Sequence, residues 1–228
     1  MHIIAPLREG TSWRGRLGLG HAISSPRLGT LGRVAVNLAG AASAALFARA
    51  SLAFYLQTHR PIGAAFFAEQ AWFVTAFLIR RPARSSAEST GPWLLAAGGT
   101  FGGLLLRPSG GHPAWGVTAG LACQLFGLAL AVTALVYLGR SFGLVAADRG
   151  LVTRGPYALV RHPVYAAYIV IEAGYVLQSV SPRNAVVVAF ATCCNIGRIR
   201  AEERLLAATA GYAEYAARVP WRLLPGVW

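Results

Sequence analysis

The sequence predicts an all-α, polytopic helical membrane protein with about six transmembrane helices. Three observations predict it. Hydrophobic residues make up 55% of the 228 positions and charged residues only 13%, about half the charged share of an average soluble domain. The mean hydropathy is +0.50, which excludes disorder and an ordinary water-soluble fold. The 21 basic residues, all arginine, lie mostly between apolar blocks.

Residues 1–33 form a basic segment with Gly and Ser, expected on the cytoplasmic side. No apolar stretch follows its early arginines Arg8, Arg14 and Arg16, so no cleaved signal peptide is expected. Six apolar blocks follow, at Val34–Leu56, Ile62–Ile79, Trp93–Leu106, Trp115–Leu138, Val164–Val180 and Ala185–Gly197. A spanning helix needs about 20 apolar residues. The first, second and fourth blocks reach that length and the fifth is just long enough. The third and sixth have 14 and 13 residues and would need snorkelling from Arg107 and Arg198, or burial in protein. Residues 34–137 thus form an N-terminal group of helices and 138–228 a C-terminal region of different composition.

With the N-terminus inside, 17 of the 21 arginines fall in segments 1–33, 80–92, 139–163 and 198–228, and the opposite loops hold Arg60, Arg107 and Arg183. This bias places both termini in the cytoplasm. It also accounts for most of the +13 charge without nucleic acid, for which no interleaving of aromatic and basic residues is seen. Cys123, Cys193 and Cys194 lie in apolar runs and read as buried small hydrophobes. No zinc spacing occurs, so no metal is expected. Gly99 and Gly103 match a GxxxG helix-packing pattern.

Arg49, Glu69 and Glu172 are charges inside apolar blocks. Each is either a structural pair or snorkelling charge, or a functional group, because a charge near mid-membrane costs several kcal/mol unless it meets a partner or water. Neither a Rossmann Gly pattern nor alternating strands and helices is present.

The polar stretch 139–163 carries the densest set of Gly, Pro, Arg, His and Tyr. Gly155-Pro156 marks a turn. Pro163 is expected to begin the fifth helix with His162 at its N-cap, where free N–H groups favour an anion. A helix is expected from about Ile199 to Ala208, then a break at Gly211 and a short helix with Tyr212 and Tyr215. Glu202 and Glu203 point about 100° apart on a helix, so one is expected to face the site and the other to pair with an arginine.

Gly155-x-Tyr157-xxx-Arg161-His162-Pro163-x-Tyr165, with Glu202-Glu203 and the Tyr212-xx-Tyr215 tail, resembles the isoprenylcysteine carboxyl methyltransferase family. That family is similar in turn to membrane phospholipid N-methyltransferases. The resemblance covers about Leu138 to Trp228. The stretch Ser141-Phe142-Gly143-Leu144 and Asp148-Arg149-Gly150 resembles bacterial members. The resemblance implies a pocket for S-adenosyl-L-methionine in the C-terminal half, lined by Leu151, Val152, Gly155, Tyr157, His162, Pro163 and Tyr165. It implies that Glu202 or Glu203 meets the cofactor's amino group. Arg161 would lie towards the reacting centre. The acceptor implied is a lipophilic small molecule entering from membrane lipid, with a carboxylate as its nucleophile and the cofactor site cytoplasmic, at a bacterial inner membrane.

On chemical grounds a carboxylate needs no base, whereas an amine or thiol would need one from His162, Glu172, Glu202 or Glu203. Two other classes compete: a membrane sterol-type reductase using NADPH, for which no phosphate-binding set is found, and a non-catalytic scaffold or small transporter.

The arginine distribution makes a topological prediction. In sealed cells, a cysteine placed at Ser109 should be labelled from outside and one at Ser85 should not. Equal labelling of both from the cytoplasmic side would overturn the six-span arrangement.

Overall fold

The computed structural model describes residues 30–59, 61–81, 85–86, 90–107, 113–143 and 147–228; most of the basic N-terminal segment lies outside them. Seven α-helices follow in order among the described residues: α1 (Thr30–Thr58), α2 (Pro61–Ile79), α3 (Thr90–Phe101), α4 (Gly116–Leu138), α5 (Pro163–Gln178), α6 (Pro182–Leu206) and α7 (Tyr212–Arg218). The all-α class is as expected. Among the described residues the one strand pairing is a two-residue bridge, Ser85 and Ser86 against Asp148 and Ala147, which ties the α2–α3 connection to the segment after α4.

Helices α1, α2 and α4 are long and apolar enough to cross a membrane. Their outward faces carry exposed large side chains such as Leu46, Phe54, Leu78 and Phe126, as lipid contact requires. The sequence blocks of the other three expected spans are also helical, but differently proportioned. Helix α5 has 16 residues, about 24 Å at 1.5 Å per residue, short of a hydrocarbon core of about 30 Å. Helix α3 has 12 residues and continues in a 3-10 turn, Gly102–Leu105.

Helix α6 departs most from expectation. The apolar block Ala185–Gly197 and the polar helix expected after it are one continuous helix of 25 residues. Gly197 stands at the junction, yet the helix continues through it and no Pro intervenes, so backbone hydrogen bonding runs straight through the change in polarity. Arg198 therefore does not snorkel. It is buried, with a guanidinium nitrogen 3.3 Å from Asn195 Oδ1 and its plane 5.0 Å from the Tyr165 ring centre. Ser181 caps the helix by accepting from the Asn184 N–H at 3.1 Å. The Asn184 amide then donates 2.8 Å bonds to the Arg107 and Ser179 carbonyls.

The helices pack as α1 with α2, α4 with α5 and α3 with α6, and α2 also contacts α4. Small residues set these approaches. Gly98 and Gly99 of α3 and Gly102 of the following turn face α6, whereas Gly103 faces open space; the turn after Phe101 rotates Gly103 away, so the expected Gly99–Gly103 pair is not the packing pair. The closest approach lies between α4 and α5, where a Cβ on Gly120 or Gly174 would run into the other's carbonyl oxygen. That contact fixes where α5 begins, and so where the polar loop before it ends.

Gly174→Val should destabilise the protein by about 1–3 kcal/mol, as overpacking does, whereas Gly103→Ala should be neutral. Thermal unfolding in detergent would read the difference.

Candidate active site

The loop 149–162 sits between α4 and α5. Gly155, at φ +62°, opens a 3-10 turn whose Tyr157 is buried. A side chain at Gly155 would be strained there and would also meet the Tyr137 ring. Pro163 occupies the first turn of α5 and His162 its N-cap, as the sequence predicts, but the His162 side chain makes no capping bond. It points at α6 instead. Its Nε2 lies 3.3 Å from Glu203 Oε1 and its Nδ1 3.8 Å from Glu202 Oε2.

Both glutamates thus reach His162, and they divide as the sequence suggests: Glu202 lines the cavity and Glu203 pairs with arginines. Consecutive helical positions diverge by 100°, but His162 sits in the angle between them. Glu203 carries the ion network: Arg161 Nε donates to its Oε1 at 2.8 Å and Arg222 Nε to its Oε2 at 2.7 Å. Glu202 accepts the Tyr165 hydroxyl. Arg161, expected to lie towards the reacting centre, is joined to Glu203, and it also donates to the Val219 carbonyl at 3.0 Å, at the end of α7.

The C-terminal tail lies along the same loop. The N–H groups of Arg161 and His162 donate to the Trp221 and Arg222 carbonyls, each at 2.9 Å. Tyr215 of α7 donates its hydroxyl to the Tyr157 carbonyl at 2.8 Å. Burial pushes the Glu203 carboxyl up, but hydrogen bonds from His162 and Arg222, together with the nearby positive charges, outweigh it and hold the group down at about 2. Burial, then Glu203, pushes the Tyr212 phenol up to about 12, so it stays a neutral donor.

A cavity of about 630 Å³ opens beside this network, within the range of small-molecule sites. Leu151, Val152, Tyr157, Arg161, His162, Tyr165 and Glu202 line it, and so does Glu172 further along α5. Gly155, Pro163 and Glu203 lie behind that lining: the first two shape the backbone and the third holds His162. Arg49 is exposed on α1, away from the cavity.

The sequence reading did not assign Arg149, Arg198 or Glu69 to the site, yet all three line it. Arg149 brings a buried Nε that no group among the described residues satisfies. Arg198 was legible in principle, because it stands one helical turn before Glu202. Glu69 was visible as a charge in an apolar block; its link to the motif, more than ninety residues away, was not. Among the described residues no group of His, Cys, Asp and Glu side chains could hold a metal.

Residues 120–208 match the model of the isoprenylcysteine carboxyl methyltransferase family. The chain is also 33% identical, over 114 residues, to the protein-S-isoprenylcysteine O-methyltransferase B of Arabidopsis thaliana. That match covers 46% of this chain and 58% of the plant protein, so the chain spans a little over half the length of the curated relative.

The Glu203 network gives a pH prediction. The folded-state carboxyl holds its proton less tightly than an ordinary one at 4.5. Its stabilising contribution is therefore complete above about pH 4.5 and lost as pH falls towards 2. Unfolding temperature measured between pH 6 and pH 2 should drop across that window, and the drop should flatten in Glu203→Gln.

Proposed function

From the match of its C-terminal region to the isoprenylcysteine carboxyl methyltransferase family, we propose that this chain is an integral membrane methyltransferase. In this reading it uses S-adenosyl-L-methionine and methylates a carboxylate on a lipophilic acceptor that arrives from the bilayer. The observation that carries the reading is a single cavity bordered at one end by His162 and Glu202 and at the other by the apolar helices α1 and α2. A water-soluble cofactor and a lipid-soluble acceptor both need access to such a space. The arginine distribution supports a cytoplasmic cofactor end, with both termini on that side of a bacterial inner membrane.

The lining fits the cofactor. Glu202 offers a carboxylate to its amino group, and the unsatisfied Arg149 Nε offers a donor to its carboxylate. Burial holds the Arg149 guanidinium down at about 10, so it remains charged at neutral pH. Leu151, Val152 and Leu206 provide apolar surface, and Tyr157, Tyr212 and Tyr215 provide aromatic surface. The cofactor supplies a methyl group activated on a sulfonium.

The chain's own residues bind, orient and exclude water. A carboxylate acceptor needs no proton removed, and a dry site favours a reaction that disperses charge. In this reading His162 and Tyr165 hold Glu202 in place. Arg161 is a positioning residue, fixing Glu203 and the end of α7. Glu172 faces the acceptor from α5.

Calorimetry on the purified chain should show binding of S-adenosyl-L-methionine. Glu202→Ala should weaken it by about 10- to 150-fold, the loss of a charge-assisted hydrogen bond. Arg161→Ala should weaken it through displacement of Glu203, and Arg161→Lys should rescue part of the loss. Retention of NADPH and not of the methyl donor would overturn the reading in favour of a reductase.

A further inference from the structure

The cavity is polarised along its length. At the motif end its lining holds Arg149, Arg161, His162 and Arg198 beside Glu202. At the membrane-helix end it holds Glu69 and Glu172, and among the described residues no basic side chain from α1, α2, α4 or α5 lines it. Glu69 is 3% exposed. One carboxyl oxygen of each glutamate, Glu69 Oε1 and Glu172 Oε2, is buried with no hydrogen-bond partner among the described residues. A buried acceptor left unsatisfied is costly, and both side chains border the one cavity, so together they call for a donor.

The surroundings specify which donor. Phe66, Glu69 and Phe73 recur at spacings of three and four on α2, which puts them on one helix face. Tyr168, Glu172 and Tyr175 repeat the arrangement on α5 at spacings of four and three. All six side chains line the cavity. Each carboxyl is therefore flanked, a turn above and a turn below, by an aromatic ring. Because one cavity is bordered by both triplets, the two faces form one site. Carboxylates with ring faces around them attract a cation twice over, by charge and by the ring quadrupole. A second anion would be repelled there.

We propose that Glu69 and Glu172 form a subsite for an ammonium group, so that the lipophilic acceptor carries a cationic amine. This rests on the reading of the cavity as the acceptor site given above. The amine would lie at the acidic end, and a carboxylate on the same head group would be directed to the basic end. The head group is thus of amino-acid type with its nitrogen unacylated.

The test uses simple probes of equal tail length on the full chain in uncharged detergent. Dodecylammonium, dodecanol and dodecanoate are titrated by calorimetry, and S-adenosyl-L-methionine is titrated in parallel. Wild type should bind dodecylammonium at least about 10-fold more tightly than dodecanol, the magnitude of one charge-assisted contact. The Glu69→Gln/Glu172→Gln variant should lose that preference while its affinity for S-adenosyl-L-methionine stays within about twofold. If the double variant does not fold, the single Glu69→Gln should lower the preference at least about threefold. No preference in wild type, a preference that survives in the folded variants, or a loss of cofactor affinity together with the preference would each overturn the subsite. Failure of wild type to bind the methyl donor, with the ammonium preference intact, would instead overturn the methyltransferase reading.

Discussion

Glu203 is the joint of the structure. One carboxylate accepts from Arg161 and Arg222 and meets His162, which binds together the loop before α5, the polar end of α6 and the tail beyond α7. A largely buried charge is stable only when its partners surround it, and here three segments distant in sequence converge to do so. Breaking the joint would free His162 from its position beside Glu202 and release the tail from the loop. The cavity wall at that end exists because the joint holds.

The membrane part is organised differently. Helices α4 and α5 approach through glycines because lipid gives no hydrophobic drive for helix association, and close van der Waals contact must supply it. Some polar groups between helices pair, as in the 2.7 Å bond from Gln178 to Gln124. Among the described residues Trp72 Nε1, Asn195 Nδ2 and one oxygen each of Glu69 and Glu172 are buried without a partner, and of these only the two glutamates are acids. The fold meets the other two site carboxylates: Glu203 accepts from Arg161 and Arg222, and Glu202 accepts from Tyr165. The contrast marks the acidic end of the cavity as a place where a ligand completes the bonding.

The two halves meet in that one cavity. Arg198 shows how: it comes from the end of α6 that continues past the apolar block, packs over Tyr165 and lines the space one turn from Glu202. Had α6 ended where its apolar residues end, neither Arg198 nor the glutamate pair would be rigidly carried to the motif loop. The continuity of that helix connects the membrane packing to the polar site.

The sequence by itself determined the helical class, the apolar blocks, the start of α5 at Pro163 and the break at Gly211. These follow from local rules: block length, the fixed φ of proline, the freedom of glycine at φ +80° and side-chain type. Local rules carry no information about direction in space. They could not say that Glu203 faces inward to Arg161 while Glu202 faces the cavity, because 100° of helical rotation acquires meaning only once α6 is docked. They could not turn Gly103 away from α6. Nor could they bring Glu69 to the same space as Glu172, since that depends on α2 and α5 both bordering one cavity. Tertiary packing decided these, because contact between residues a hundred positions apart is set by how whole helices fit.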